Sequence, residues 1–417
     1  MDDEKRPAVI IVGAGLAGLA CARALKRAGV SFLIVEAADS VGGRIRTDEV
    51  DGFRLDRGFQ VFLPAYPEAK RVLDYHELRL RPFYRGADVM IQNRRCRLAD
   101  PFHHPIDAVK RSWCRLTPWK EIWHTVLLKK EILGLRKVPR DVPEMETEDY
   151  LKEMGFSPEF VDRFFRPFFG GVFLEKDLRT SSRMFEFIFA MFDQGGAAVP
   201  ERGMQAIPDQ LASQLPMGSI RLNAPVAAIH EHSVVLQNGE TIRAPHIVLA
   251  VDERTAARLL NAEKPPKPAR SVTCLYFATD QPVPKEPILH LDGSGRGPVN
   301  NTVVMSRVSP HYAPEGKHLI SVSVIGSAGG DELESVVRDQ MTGWFGSSVS
   351  EWKLIRIYTV REAQSEERQL TVGDEPVPAT IRPGLHRCGD YCEDISINGA
   401  LISGRRAAEA VLESLQA

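Results

Sequence analysis

Residues 9–44 constrain this chain more than any other stretch. They read V-I-I-V-G-A-G-L-A-G-L-A-C-A-R-A-L-K-R-A-G-V-S-F-L-I-V-E-A-A-D-S-V-G-G-R. An apolar run over residues 8–12 enters a turn carrying Gly13, Gly15 and Gly18. A helical pattern follows over about residues 16–28, and a second apolar run over residues 32–35 ends on Glu36. Strand, glycine turn, helix, strand and carboxylate in that order form the dinucleotide-binding fingerprint of a parallel βαβ unit. Gly13 suits the tight turn, Gly15 admits a pyrophosphate against the main chain, and Gly18 lets the helix pack close to the sheet. Ala14, Leu16 and Ala17 lie among these glycines, so their main-chain groups border the same ligand. The helix start offers free N–H groups and the positive end of a dipole to phosphate. Glu36 lies 18 residues after Gly18, placed with Ala37 to meet a ribose diol. A tight turn without a nucleotide is the bland alternative, and the matching context on both sides argues against it.

Two further motifs extend the site. Val41-Gly42-Gly43-Arg44 follows Glu36, pairing adjacent glycines with an arginine that suits a bidentate phosphate clamp. A minimal NAD site has no need of this element. Near the C-terminus, Gly389-Asp390 follows a strand pattern, and Gly399-Ala400, Ser403-Gly404 and Ala407-Ala408 mark a helix. A plain docking helix would explain Ala407 and Ala408 but not the Gly-Asp pair at that offset. Together these motifs resemble the two-dinucleotide-binding-motif flavoproteins, the flavin-containing amine oxidoreductase superfamily. That family includes monoamine oxidases, protoporphyrinogen oxidases and phytoene-type carotenoid desaturases.

The resemblance implies a noncovalent FAD. It places Gly43 and Arg44 at the phosphates and Asp390 at ribityl or phosphate oxygens. The main chain of Ile395, Ser396 and Ile397 would face the pyrimidine edge of the flavin, where a helix start favours negative charge on the reduced ring. Residues 220–229 read as a strand, on which the resemblance implies that the main chain of Val226 would pair with adenine. Gly58, Phe59 and Gln60 would run along the flavin ring, with a simple hairpin connection as the alternative. The implied fold class is α/β: a discontinuous Rossmann-like FAD-binding domain (residues 7–75, 196–262 and 353–417) with an α+β substrate-binding domain that carries a helical subdomain (residues 76–195 and 263–352).

Composition narrows the rest. A net charge of −2 over 417 residues gives no overall field that favours nucleic acid. No apolar run is long enough to span a bilayer, and the first six residues lack the apolar core of a signal peptide. The six cysteines are scattered and include no C-x-x-C, which fits a reduced, cytoplasmic setting. Cys388 and Cys392 flank the Gly-Asp pair, and two plain thiols are the simpler reading than a redox couple. No His/Cys/Asp cluster has metal-ligand spacing, so no metal is expected.

Two segments carry competing readings. Residues 105–140 are basic and hold Trp113, Trp119 and Trp123. Helices are expected over residues 109–116 and 119–135, separated by Thr117-Pro118. Lys110, Arg111, Arg115, Lys120, Lys129, Lys130, Arg136, Lys137 and Arg140 suit either a solvated face with tryptophans turned inward or a peripheral contact with anionic lipid. Residues 160–192 hold ten of the nineteen phenylalanines. They suit a helical core, with a minority of rings lining an apolar substrate tunnel. Arg163, Arg166 and Arg183 interrupt them and could meet a carboxylate.

No nucleophile elbow or triad appears, as expected when a flavin carries the chemistry. Residues 272–277 lack the lysine that the family's amine oxidases hold near the flavin, and Ser396 and Asn398 stand where those enzymes place a cage aromatic. Residues 395–408 resemble the protoporphyrinogen oxidase C-terminus. The expectation is therefore an FAD-dependent desaturase or dehydrogenase that takes hydride from carbon of a small lipophilic, conjugated substrate, with oxygen or a quinone as electron acceptor. An amine oxidase releasing hydrogen peroxide and a reduced-FAD-dependent polyene isomerase remain as alternatives. By family position, Tyr358, Arg361 and Gln364 are the candidate catalytic side chains.

Overall fold

The computed structural model describes residues 6–91, 94–100, 103–104, 106, 119–134, 144–264, 266–330, 332–365 and 377–416. The fold is α/β and is organised by two sheets. In the first, Val9–Val12 runs parallel to Phe32–Val35 on one side and to His246–Leu249 on the other. Ile220–Arg221 and Leu385–Arg387 extend it in parallel, and Thr380–Arg382 closes one edge antiparallel. Every residue of Val9–Val12 is buried, because the sheet is covered on both faces. Val9, Ile11 and Ile34 pack toward the helices Leu16–Arg27 and Ile397–Gln416. Ile10, Val12 and Val35 pack on the other face, with Val226, Val234 and Leu236 of a small antiparallel sheet. The two helices touch so closely that a Cβ on Gly404 would meet the Ala17 carbonyl.

The second sheet has seven strands, in the order Lys353–Gln364, Arg270–Thr279, His318–Ile325, Val299–Val304, Leu289–Asp292, Gly86–Ile91 and Arg94–Ala99. All its pairs are antiparallel except Leu289–Asp292 with Gly86–Ile91. Helix Leu333–Phe345 covers one face through Val337 and Met341. The phenylalanine-rich segment covers the other, beginning with Pro158–Phe160, passing through a π turn at Val161–Phe165 and continuing as Arg166–Phe173. Helix Ser182–Gly195 follows it.

Three expectations differ from what is seen. Lys353–Gln364 does not return to the first sheet; it pairs along Arg270–Thr279, and the first sheet is rejoined only at Thr380. Its charged side chains Lys353, Arg356 and Arg361 are exposed on this edge strand. The strand expected over residues 220–229 is two strands in different sheets. Asn223 takes a left-handed φ of 52° and Pro225 has no N–H, so the ladder breaks between them. Finally, Cys21, Cys274, Cys388 and Cys392 are free and buried but Cys96 is disulfide-bonded, so the all-thiol reading does not hold throughout. The helix expected over residues 109–116, with Trp113, Thr117-Pro118 and the cations Lys110, Arg111, Arg115, Arg136, Lys137 and Arg140, lies outside the described residues.

Asp56 ties the hairpin Thr47–Val50/Phe53–Asp56 to the second sheet. It ends strand Phe53–Asp56, is 1% exposed, and accepts hydrogen bonds from Thr47 Oγ1 (2.6 Å), Met204 N–H (3.0 Å) and Tyr312 O–H (2.7 Å). Its main-chain oxygen accepts from Tyr276 O–H of the second sheet at 2.8 Å. Burial pushes the carboxyl up to about 6.

Candidate active site

The glycine turn forms where the first strand ends. Gly13 has φ +107°, and a Cβ there would run into the Ala250 carbonyl. A Cβ on Gly18 would meet the Gly13 carbonyl, whereas Gly15 has nothing within 4 Å on that side. Gly15 caps helix Leu16–Arg27, with no side-chain cap and no acidic residue in the first turn. The helix start is therefore open to an anion. Glu36 receives the Ala14 N–H at 2.6 Å and the Ala38 N–H at 2.9 Å, which fixes its carboxylate at the end of the second strand. A carboxylate accepts about four hydrogen bonds, so two remain for a ribose diol.

The second glycine pair folds over the first turn. Gly42 N–H donates to the Ala14 carbonyl at 2.9 Å, and a Cβ on Gly43 would lie 3.3 Å from Gly15 Cα. This brings Arg44 to the C-terminal motif. Its guanidinium meets Asp390 at 2.5 Å and donates to the Ala363 carbonyl at 3.3 Å. The Asp390 carboxylate holds the guanidinium above the usual arginine range. Gly389 N–H is anchored on the buried Ser403 hydroxyl at 3.0 Å. The start of helix Ile397–Gln416 differs from the open dipole expected: Asp394 caps it, accepting Gly399 N–H at 3.1 Å. Burial raises the Asp394 carboxyl above the ordinary aspartate range.

One cavity of about 780 Å³ joins these parts. Gly13, Gly15, Leu16, Ala17, Glu36 and Ala37 line its nucleotide end, with Gly43 and Arg44 beside them. Phe59, Gln60, Gly389, Asp390 and residues 395–397 line its middle. Gln60 Nε2 donates to the Arg44 carbonyl at 2.8 Å, and Gln364 Nε2 donates to the Ile395 carbonyl at 3.2 Å. Each leaves a buried Oε1 with no partner among the described residues. Two orphaned acceptors, an uncapped helix start and glycines that a Cβ would block all fit a flavin dinucleotide.

Several candidates lie off the cavity wall. Ala14 is buried in the turn and Gly18 in the helix–turn contact. Gly58, at φ +90°, packs toward Val272 and Val360. Val226 pairs with Leu236 in the small sheet. Tyr358 directs its hydroxyl to Asp48 at 2.6 Å, and Arg361 is exposed, so of the three catalytic candidates the structure brings only Gln364 to the cavity. Sequence reasoning missed Ala250, Val251 and Asp252, which line the cavity after strand His246–Leu249. The rule that ligands sit at the carboxyl ends of parallel strands would have found them once that strand's place was known.

The other arm of the cavity is aromatic. Seven of the ten phenylalanines line it, and Phe165, Phe185 and Phe187 do not; Phe160, Phe169 and Phe173 of the seven are also buried in the core. The rings also pack on one another, as with Phe168 and Phe192 at 5.1 Å between centroids. Arg163 and Arg166 are drawn away to Glu159 and Asp162, and neither they nor Arg183 line the arm. Two other cations, Arg85 and Lys129, do line the cavity. Arg85 donates to the Asp193 carbonyl at 3.0 Å, and Lys129 meets the Asp193 carboxylate at 2.6 Å.

The sequence profile of the flavin-containing amine oxidoreductase family matches residues 16–412. A probable flavin-containing monoamine oxidase A of Dictyostelium discoideum is 25% identical over 60% of this chain and 58% of its own length, so the chain spans a little over half of that relative. The coproporphyrinogen III oxidase of Propionibacterium freudenreichii subsp. freudenreichii is 24% identical over 97% of this chain and 91% of its own. Among solved structures, a putative protoporphyrinogen oxidase from Exiguobacterium sp. 255-15 superposes with a TM-score of 0.69 at 16% identity, covering 98% of this chain and 99% of that one. At that identity the likeness shows a shared fold.

Proposed function

This chain belongs to the flavin-containing amine oxidoreductase family, whose members are FAD-dependent oxidoreductases, and from that premise we propose that it takes hydride from carbon of a lipophilic, conjugated substrate. The carrying observation is the continuity of the dinucleotide groove with the phenylalanine arm in a single cavity. When bound, FAD supplies the two-electron acceptor; the protein supplies orientation and a dry site. Interlocked rings such as Phe164 with Phe168 (5.7 Å) and Phe168 with Phe192 (5.1 Å) make a wall suited to a flat, apolar ligand. Arg85 and Lys129 line the same cavity, both held by Asp193, and would share that contact with acidic substituents of such a ligand. A porphyrinogen, apolar at its pyrrole rings and acidic at its rim, suits such an arm and becomes flat and conjugated as its bridging carbons are oxidised; the coproporphyrinogen III oxidase relative aligns along nearly the whole chain.

Features expected of an amine site are missing from the corresponding places. Val272 begins the stretch where an amine oxidase would carry its lysine; it is apolar and buried, and strand Arg270–Thr279 holds no lysine. Asn398 is buried and accepts Glu68 N–H at 3.0 Å.

Anaerobic mixing of the oxidised holoprotein with porphyrinogens, polyenes and simple amines tests the proposal. Bleaching of the flavin band by a porphyrinogen or polyene supports it. Bleaching by amines alone, with peroxide released on admitting air, replaces it with the amine oxidase reading. Turnover of a polyene only after prior flavin reduction, without consumption of an acceptor, replaces it with an isomerase.

A further inference from the structure

Large apolar side chains are exposed unevenly along this chain. Ten are exposed among the described residues, and five of these fall between residues 106 and 133: Ile106, Trp123, Val126, Leu127 and Leu133. Four of the five belong to helix Trp119–Gly134. At about 100° per residue, Trp123, Val126, Leu127 and Lys130 share one face, with Lys120 and Leu133 at its margins. Trp123 is 62% exposed. Leu128, Ile132 and Glu121 occupy the opposite face and are buried. The helix is thus apolar on its inner side, as packing requires, and apolar again on its outer side, where packing among the described residues gives no reason for it. Lys120 and Lys130 are exposed there, against one marginal carboxylate, Glu131.

The same helix borders the substrate arm. Ile122, Thr125, Val126 and Lys129 line the cavity, so Val126 belongs to both surfaces. Lys129 pins the helix over the arm through its 2.6 Å contact with Asp193 on helix Ser182–Gly195.

We propose that helix Trp119–Gly134 docks on an anionic lipid surface and places the mouth of the aromatic arm at the bilayer. Trp123, Val126, Leu127 and Leu133 enter the boundary between headgroups and acyl chains, and Lys120 and Lys130 meet lipid phosphates. An apolar outer stripe carrying tryptophan and flanked by lysine is the geometry of an interfacial helix. No helix among the described residues is long and apolar enough to cross a membrane, so the contact is peripheral. A lipophilic ligand then passes from lipid to the phenylalanine arm without crossing bulk water. That route rests on the lipophilic-substrate reading above, but vesicle binding is read without any substrate, so either can fail alone.

The test is co-sedimentation of the FAD-loaded full chain with phosphatidylcholine vesicles, with and without phosphatidylglycerol. Wild type is expected to sediment with the anionic vesicles and to be released as salt rises. Each surface lysine adds roughly fivefold in affinity, so K120Q/K130Q is expected to bind about 30-fold more weakly. W123E/L127E is expected to lose binding by at least about tenfold. All four positions are exposed and off the cavity, so both variants should keep the wild-type flavin spectrum and melting temperature. Failure of wild type to bind anionic vesicles, equal binding to neutral and anionic vesicles, or unchanged binding by both variants would each overturn the proposal. So would a wild-type dimer that W123E/L127E abolishes without any vesicle binding, which would assign the face to a second copy of the chain.

Discussion

Replacing Asp56 with asparagine probes the point where the hairpin Thr47–Val50/Phe53–Asp56 meets the second sheet. Asp56 is 1% exposed, and burial raises its carboxyl from 3.8 to about 6. A difference of roughly two units corresponds to about 3 kcal/mol. The sign follows from which state binds the proton more tightly. Because the folded value is the higher one, the contribution is fully present below the unfolded value near 3.8 and is lost as pH rises through about 6. Above that, the ionised carboxylate keeps three donors but has no ion-pair partner among the described residues. In D56N the amide oxygen would still accept from Thr47 and Met204, and the amide NH2 would donate to the Tyr312 hydroxyl, which rotates to accept. The variant therefore keeps the geometry and loses the titration. Urea unfolding of FAD-saturated protein, followed by tryptophan fluorescence, should show the stability of D56N relative to wild type rising by about 2.4 kcal/mol between about pH 4 and about pH 7. Parallel stability curves over that range would refute the reasoning, since they would mean that Asp56 does not titrate there.

The flavin site gives sharper affinity tests. Arg44→Met leaves Asp390 (8% exposed) uncompensated beside the phosphates. Because Arg44 itself is about a third exposed, the expected cost is about 2 kcal/mol, or ~30-fold in FAD affinity. It is read by flavin fluorescence titration of the apoprotein, and a change below about threefold would contradict the assigned clamp. Glu36→Gln turns an amide NH2 toward Ala14 N–H or Ala38 N–H, so FAD binding should weaken by about 1–3 kcal/mol in the same titration; wild-type affinity would mean that the carboxylate is not needed there. Gly404→Ala places a methyl against the Ala17 carbonyl and Ala20 Cβ. Calorimetry should show both apo and FAD-bound forms destabilised by about 1–3 kcal/mol, and an unchanged melting temperature would show that the two helices yield.

The nucleotide half of the site was legible because its physics is local. A glycine turn between a strand and a helix start, followed by a carboxylate on the next strand, names its ligand within some thirty residues. Gly13, Gly15, Glu36 and Arg44 could therefore be read in order along the chain. The C-terminal motif was legible for the same reason, although its ion pair with Arg44 reaches back across 346 positions. The substrate half was not local. Phenylalanines at helical spacing look alike whether they fill a core or line a tunnel, and only the π turn at Val161–Phe165 and the helix packing decided that most of them border the cavity. Tyr358 and Arg361 were placed by position on a strand whose sheet the sequence did not reveal. Once Lys353–Gln364 is paired with Arg270–Thr279, Tyr358 meets Asp48 and Arg361 is exposed.

By itself, then, the sequence determined the dinucleotide turn, the second glycine pair with its arginine, and the parallel α/β character that both imply. The tertiary structure alone decided which strand joins which sheet, which cations keep carboxylate partners away from the cavity, and which aromatic rings face it. Short-range hydrogen bonding and backbone sterics are written in adjacent residues, whereas the direction of a buried ring depends on whatever other segment the folded chain brings against it.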